Sequence, residues 1–271
     1  MKKVGLALSS GGARGIAHIG ILSILERERI PIDMIAGTSM GAIIGAFYTS
    51  GKTSQEIGEA IFKINRRRMY SFFDFAFSSQ GIIRGKKVSG WLTSVIGDLT
   101  FDDLKIPFAC VAADIVTGER IVINKGSVVD AVRASISIPI LYMPFHFQGR
   151  YLVDGGLVDP VPVDVVREMG ADLIIASTVT RDMGKRLQRV IIDGSVHQRS
   201  PNIFGMMRRL RKVTKGEATI TGVAHADIVI NPVIAGRRVP PGDHRRVSEL
   251  ISSGEEAAIR AMPTIRRELR V

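Results

Sequence analysis

The stretch "AGTSMGAIIGA", residues 36–46, sets a lone serine, Ser39, between glycines and then runs into small apolar residues. Before it, "PIDMIAG" (31–37) reads as a short buried strand. After it, "SMGAIIGAFYTSG" (39–51) reads as a buried helix closed by Gly51. Gly37, Thr38, Ser39, Met40 and Gly41 thus spell G-x-S-x-G between a strand and a helix, the context of a nucleophile elbow. In such an elbow the serine sits on a sharp turn that tolerates little bulk beside it, and the helix N-terminus favours negative charge at the serine. A polar residue in an ordinary tight turn is the competing reading.

Working outward, "KKVGLAL" (2–8) reads as a buried strand, the glycines at 11, 12 and 15 as a turn, and "IAHIGILSILERER" (16–29) as an amphipathic helix. Thr53 with Glu56 predicts a capping box for a third helix running to about Arg68. Residues 69–90 lose periodicity and read as a surface segment and a first lid candidate. Beyond them, "IPFACVAAD" and "ERIVINKG" read as strands, "SVVDAVRASIS" as a helix, and "RYLVDGG" as a strand ending in a glycine turn. Pro160 and Pro162 lead into a helix over "VDVVREMGA". "DLIIAST" and "ADIVINP" follow as strands, and 243–270 as a terminal helix. Alternating strands and helices predict an α/β fold, and 271 residues at 45% hydrophobic content suffice for one large domain.

Composition narrows the partners. The single cysteine, Cys110, excludes an intramolecular disulfide and a thiolate metal cluster, and it fits a reducing, cytoplasmic compartment. No apolar run reaches the length of a membrane-spanning helix, and the N-terminal stretch reads as part of the mature fold rather than a signal peptide. Thirty-seven Lys and Arg against 26 Asp and Glu give a net charge of +11, which favours an anionic partner. Residues 181–220 hold ten of those basic residues and only three acidic ones. No base-reading motif accompanies the charge, so no specific nucleic acid is expected. A non-catalytic protein that binds anionic surfaces is the alternative function.

A serine hydroxyl needs a base. Of His18, His146, His197, His225 and His244, the chain order of an ordinary hydrolase triad would nominate His197, His225 or His244, yet none sits at a glycine-marked strand end. Asp154 does: it closes the apolar run "RYLV" and precedes Gly155 and Gly156, which leaves its carboxylate at a sheet end. The third element is "SSGGARGIAH" (9–18). Backbone N–H groups at such a glycine turn before a helix can receive the negative charge of an attacked carbonyl. A dinucleotide fingerprint is a weaker alternative, because its first glycine would fall on Ser10.

Together these segments resemble the patatin-like phospholipases, serine acyl hydrolases that use a Ser-Asp dyad without histidine. "GGARGIAHIGIL" resembles the family's oxyanion segment, "GTSMGAIIGA" its elbow, "ASISIPILYMPF" its central helix and turn, and "DGGLVDPVPVDVVREMGADLIIAS" its aspartate block. The resemblance implies a three-layer sandwich with a mostly parallel central sheet flanked by helices. It implies a catalytic core over 3–180, and a closing strand and C-terminal helix of the same domain over 223–271. Residues 181–222 match poorly and read as a candidate lid or membrane-facing insert. It further implies Ser39 as nucleophile and Asp154 as base, with Gly11, Gly12, Ala13, Arg14 and Gly15 forming the oxyanion loop. Ser10 departs from the glycine many relatives carry. No metal and no cofactor are implied. The substrate class is phospholipid or another acyl ester, reached by a protein peripheral to the inner face of an anionic membrane, where Phe72, Phe73, Phe75, Phe77 and the basic run at 63–68 could meet lipid.

Overall fold

The computed structural model describes residues 2–64, 75–78, 81–139, 141–179, 223–234 and 243–270. The strands are β1 (Val4–Leu8), β2 (Met34–Thr38), β3 (Phe75–Ser78), β4 (Gly81–Ile83), β5 (Phe108–Asp114), β6 (Arg120–Ile123), β7 (Phe145–Phe147), β8 (Arg150–Asp154), β9 (Leu173–Ser177) and β10 (Ile228–Ile230). The α-helices are α1 (Ala17–Arg27), α2 (Met40–Thr49), α3 (Ser54–Phe62), α4 (Lys86–Ile96), α5 (Val128–Ser135), α6 (Val163–Glu168) and α7 (His244–Leu269). The main sheet runs in the order β10-β9-β1-β2-β5-β8-β7, with β6 also paired to β5. The five strands from β10 to β5 are parallel, whereas β6, β8 and β7 pair antiparallel.

Period-2 alternation sorts the strand side chains into two cores. Leu6, Leu8, Ile35, Cys110, Ala112 and Ile175 face a cluster shared with α1, α2, α3, α4, α5 and α7. Their neighbours Ala7, Met34, Ala36, Ala109, Val111, Ile174 and Ala176 face a smaller cluster built with Val163, Val165 and Val166 of α6. Helices thus lie on both faces of a mostly parallel sheet, the three-layer arrangement expected. On the larger face α1 and α7 pack with their backbones in close approach. A Cβ on Gly20 would lie 1.9 Å from the Ile251 carbonyl oxygen, and one on Gly254 would lie 2.0 Å from that of Ala17.

The expected elements form, with three corrections. The capping box at Thr53 and Glu56 is present, but α3 ends at Phe62 rather than near Arg68. The described part of 69–90 is not irregular: β3 and β4 pair as an antiparallel ribbon, and α4 starts at Lys86. Helix α4 and strand β7 lacked a sequence expectation. The run 181–222, Arg66, Arg67, Arg68, Phe72, Phe73 and His197 lie outside the described residues, as do the side chains of Phe75 and Phe77. No helix among the described residues is long and apolar enough to cross a membrane.

Candidate active site

Strand register brings the site together. Strand β2 ends with Thr38 opposite Val111, and β8 ends with Asp154 opposite Ala112. The C-terminal ends of β2 and β8 therefore meet beside consecutive residues of β5. That juxtaposition places Ser39, the residue after β2, against Asp154, 115 positions later. The Ser39 hydroxyl donates to Asp154 Oδ2 at 2.7 Å, and Asp154 Oδ1 accepts the Gly156 N–H at 2.8 Å. Both side chains are buried, at 6% and 4% exposure, so bulk water competes little for their hydrogen bond.

The turn at Ser39 is strained. Its φ of 56° and ψ of −117° are rare outside glycine and cost on the order of 1–3 kcal/mol, so the surroundings must hold them. They do so by close backbone packing. A Cβ on Gly37 would lie 2.4 Å from the Gly41 carbonyl oxygen, and one on Gly41 would lie 2.1 Å from that of Leu8. The Ser39 N–H donates to the Ser135 hydroxyl at 2.9 Å, and the Thr38 hydroxyl donates to the Asp159 carbonyl at 2.9 Å. Gly155 passes as closely over β5, for a Cβ there would meet the Val111 carbonyl oxygen at 2.2 Å.

The glycine loop crosses the same end of the sheet. After β1 the chain turns through Gly11 into a 3-10 helix, Gly12–Ile16, that feeds α1. Gly15 lies against Met40, whose Cγ would be 2.5 Å from a Cβ placed there, so the loop abuts the elbow. Gly12 and Ala13 are exposed and Arg14 is half-buried. The first N–H groups of a helix have no intrahelical acceptor, which suits them to an anion. Ser10, the departure from the family pattern, is 3% exposed and donates its N–H to the Pro160 carbonyl at 2.8 Å.

A group that sequence reasoning gave no role supports this loop from beneath. His18 is fully buried, with Nε2 2.9 Å from the Ser9 carbonyl and Nδ1 2.6 Å from the Ser177 hydroxyl. A carbonyl can only accept, so Nε2 carries the proton and Nδ1 accepts from Ser177. Burial holds the imidazole pKa down to about 4, against the opposing pull of the Ser9 carbonyl bond. The unfolded chain's imidazole, at 6.5, takes up a proton first as pH falls. The contribution is therefore complete above pH 6.5 and is lost progressively towards pH 4, a difference of about 3 kcal/mol. Thermal melts from pH 8 to pH 4 should show this loss, and His18→Gln should flatten it. An equally steep acid limb in the variant would contradict the assignment.

Of the alternative histidines, the two among the described residues make their contacts elsewhere. His225 pairs with Asp164 at 3.0 Å, and His244 stacks on Phe62 with ring centroids 5.6 Å apart. Among the described residues no histidine hydrogen-bonds Ser39 or Asp154, and no group of three His, Cys, Asp or Glu is placed to hold a metal ion.

The patatin-like phospholipase family model matches residues 6–167, which contain the elbow, the glycine loop and the aspartate turn. The chain belongs to the patatin-like phospholipase family. An uncharacterised NTE family protein of Mycobacterium bovis is 37% identical over 174 residues, covering 64% of this chain and 48% of that protein. The lysophospholipase NTE1 of Candida albicans is 33% identical over 207 residues, covering 74% of this chain and 14% of that protein. The chain thus spans about half the length of the mycobacterial relative and a small part of the fungal one. Among solved structures, a similar fold is found in VipD from Legionella pneumophila. It covers 97% of this chain and 67% of that one, with a TM-score of 0.61 at 13% identity.

Proposed function

We propose that this chain is a lipid acyl-ester hydrolase working through a Ser39–Asp154 dyad. The observation that carries the reading is the buried 2.7 Å hydrogen bond from the Ser39 hydroxyl to Asp154, made at a strained elbow beside a glycine loop. As Ser39 Oγ bonds to the ester carbonyl carbon, Asp154 takes its proton and the carbonyl oxygen becomes an oxyanion facing the loop at Gly11, Gly12 and Ala13. The tetrahedral centre then collapses, and the alcohol leaves with the proton returned by Asp154, giving an acyl-Ser39. Water attacks that ester while Asp154 accepts its proton. The fatty acid departs, and the proton returns to Ser39.

Family membership and the likeness to a fungal lysophospholipase support a phospholipid or lysophospholipid as the substrate. The net charge of +11 supports work at an anionic lipid surface, with 181–222 as the membrane-facing insert between the core at 3–180 and the closing elements at 223–271.

A fluorophosphonate probe tests the nucleophile. The wild type should label stoichiometrically at Ser39, and Ser39→Ala should not label. Undiminished labelling of Ser39→Ala would remove the reading.

A further inference from the structure

The turn closing α5, Arg133–Ser137, takes no part in the acyl-transfer steps, yet it holds both members of the dyad. Ser135 is wholly buried, and its Oγ accepts the Ser39 N–H at 2.9 Å while donating its own proton to the Val111 carbonyl at 2.6 Å. A hydroxyl has one proton, so committing it to Val111 turns a lone pair towards Ser39. Two residues on, the Ser137 carbonyl accepts the Asp154 N–H at 2.9 Å. The Ser137 hydroxyl accepts from Arg133 Nη1 at 2.6 Å and donates to the Arg133 carbonyl at 2.8 Å. Arg133 is 1% exposed. Its guanidinium lies 4.8 Å from the Tyr142 ring centre and 5.6 Å from that of Phe145, and Nη2 donates to the Arg84 carbonyl at 2.7 Å.

From these contacts we infer that the Arg133–Ser137 turn is the positioning device of the dyad: Ser135 orients the nucleophile through its amide, and Ser137 seats the strand end that carries the base. The inference rests on the Ser39–Asp154 reading above. Ser39 holds a φ that a non-glycine residue leaves readily when released. Without the Ser135 acceptor its buried N–H is unsatisfied, and the residue relaxes by rotating Oγ away from Asp154. Because Ser135 and Ser137 stand on one short turn, that turn refines the spacing of nucleophile and base that the strand register sets. Arg133 locks the turn and ties it to Arg84 and Gly85, where β4 hands over to α4. Gly85, at φ +83°, lies so close that a Cβ there would come 2.1 Å from Arg133 Nε.

A purely structural turn and a positioning turn differ in what they move. Loss of a structural bond lowers the melting temperature and leaves Ser39 as reactive as before. Loss of a positioning bond lowers reactivity at unchanged substrate binding. In the full chain, Ser135→Ala should slow fluorophosphonate labelling and reduce kcat for a short p-nitrophenyl ester by about tenfold or more, with KM held within about twofold. Ser135→Thr and Ser135→Val, which differ only in a hydroxyl against a methyl, should separate, with threonine recovering most of the rate and valine little. That pair decides the matter if the alanine variant fails to fold. Labelling of wild-type Ser39 alongside equally fast labelling of a folded Ser135→Ala overturns this inference alone, as do matching rates for folded Thr and Val variants. A wild type that does not label at Ser39 overturns the dyad reading and this inference together.

Discussion

Asp154→Asn is expected to reduce kcat for a short p-nitrophenyl ester by about a thousandfold, with a melting temperature close to that of the wild type. The buried Gly156 N–H needs an acceptor, so the asparagine carbonyl takes the place of Oδ1. That choice turns the amide NH2 towards Ser39 and reverses the hydrogen bond that the hydroxyl now donates. Shape is kept, while the proton acceptor is lost. Under the proposed dyad the two groups act as one unit, so Ser39→Ala should fall about as far, and the double variant no further than either alone. A loss below about tenfold in Asp154→Asn would mean that another group takes the proton. The described histidines offer none: no histidine hydrogen-bonds Ser39 or Asp154 among the described residues, and the buried His18 is committed to Ser9 and Ser177.

The hydrogen-bonded pairing of Ser39 with Asp154 was legible because backbone crowding leaves a mark on sequence. Gly37, Gly41 and Gly155 each face a carbonyl at a distance no Cβ could occupy, and a serine or aspartate beside such glycines stands out. What holds the dyad was not legible. The Ser135 and Arg133 side chains act through hydrogen bonds to backbone atoms of residues far away in sequence, Ser137 acts through its own carbonyl on the Asp154 N–H, and their spacing carries no signature of those partners. The hydrogen-bond partners of His18 were likewise not legible, although its burial left a trace. Its neighbours Ala17, Ile19, Gly20, Ile21 and Leu22 are all buried, and an apolar surround on every side was the signal available. Helix α4 was missed although Val88, Trp91, Leu92 and Ile96 carry helical spacing, because the irregular composition before it hid where the periodicity starts. The antiparallel direction of β8, on which the meeting of Ser39 and Asp154 depends, follows from connection geometry that a strand's own residues do not encode.

The packing of α1 on α7 carries the second large effect. Gly254→Ala should destabilise the fold by about 3 kcal/mol, and the melting temperature should fall by roughly 10 °C. The new methyl would lie 2.0 Å from the Ala17 carbonyl oxygen, a backbone atom that no rotamer change can clear. The helices must part, and alanine's better helix propensity recovers only about 1 kcal/mol. Gly20→Ala, which meets the Ile251 carbonyl oxygen and the Glu255 amide nitrogen, opens the same crossing from the other side. The two substitutions should therefore combine to less than their sum, because a crossing already widened by one methyl has room for the next. Position gives the clash a second consequence. Ala17 is the first residue of α1 and directly follows the 3-10 helix that carries the glycine loop. A shift of that helix end moves Gly12 and Ala13 relative to Ser39, so the folded fraction of Gly254→Ala should also label more slowly with a fluorophosphonate than wild type. A melting temperature within about 2 °C of wild type would show that α7 slides without strain and that the close approach is not what fixes the loop.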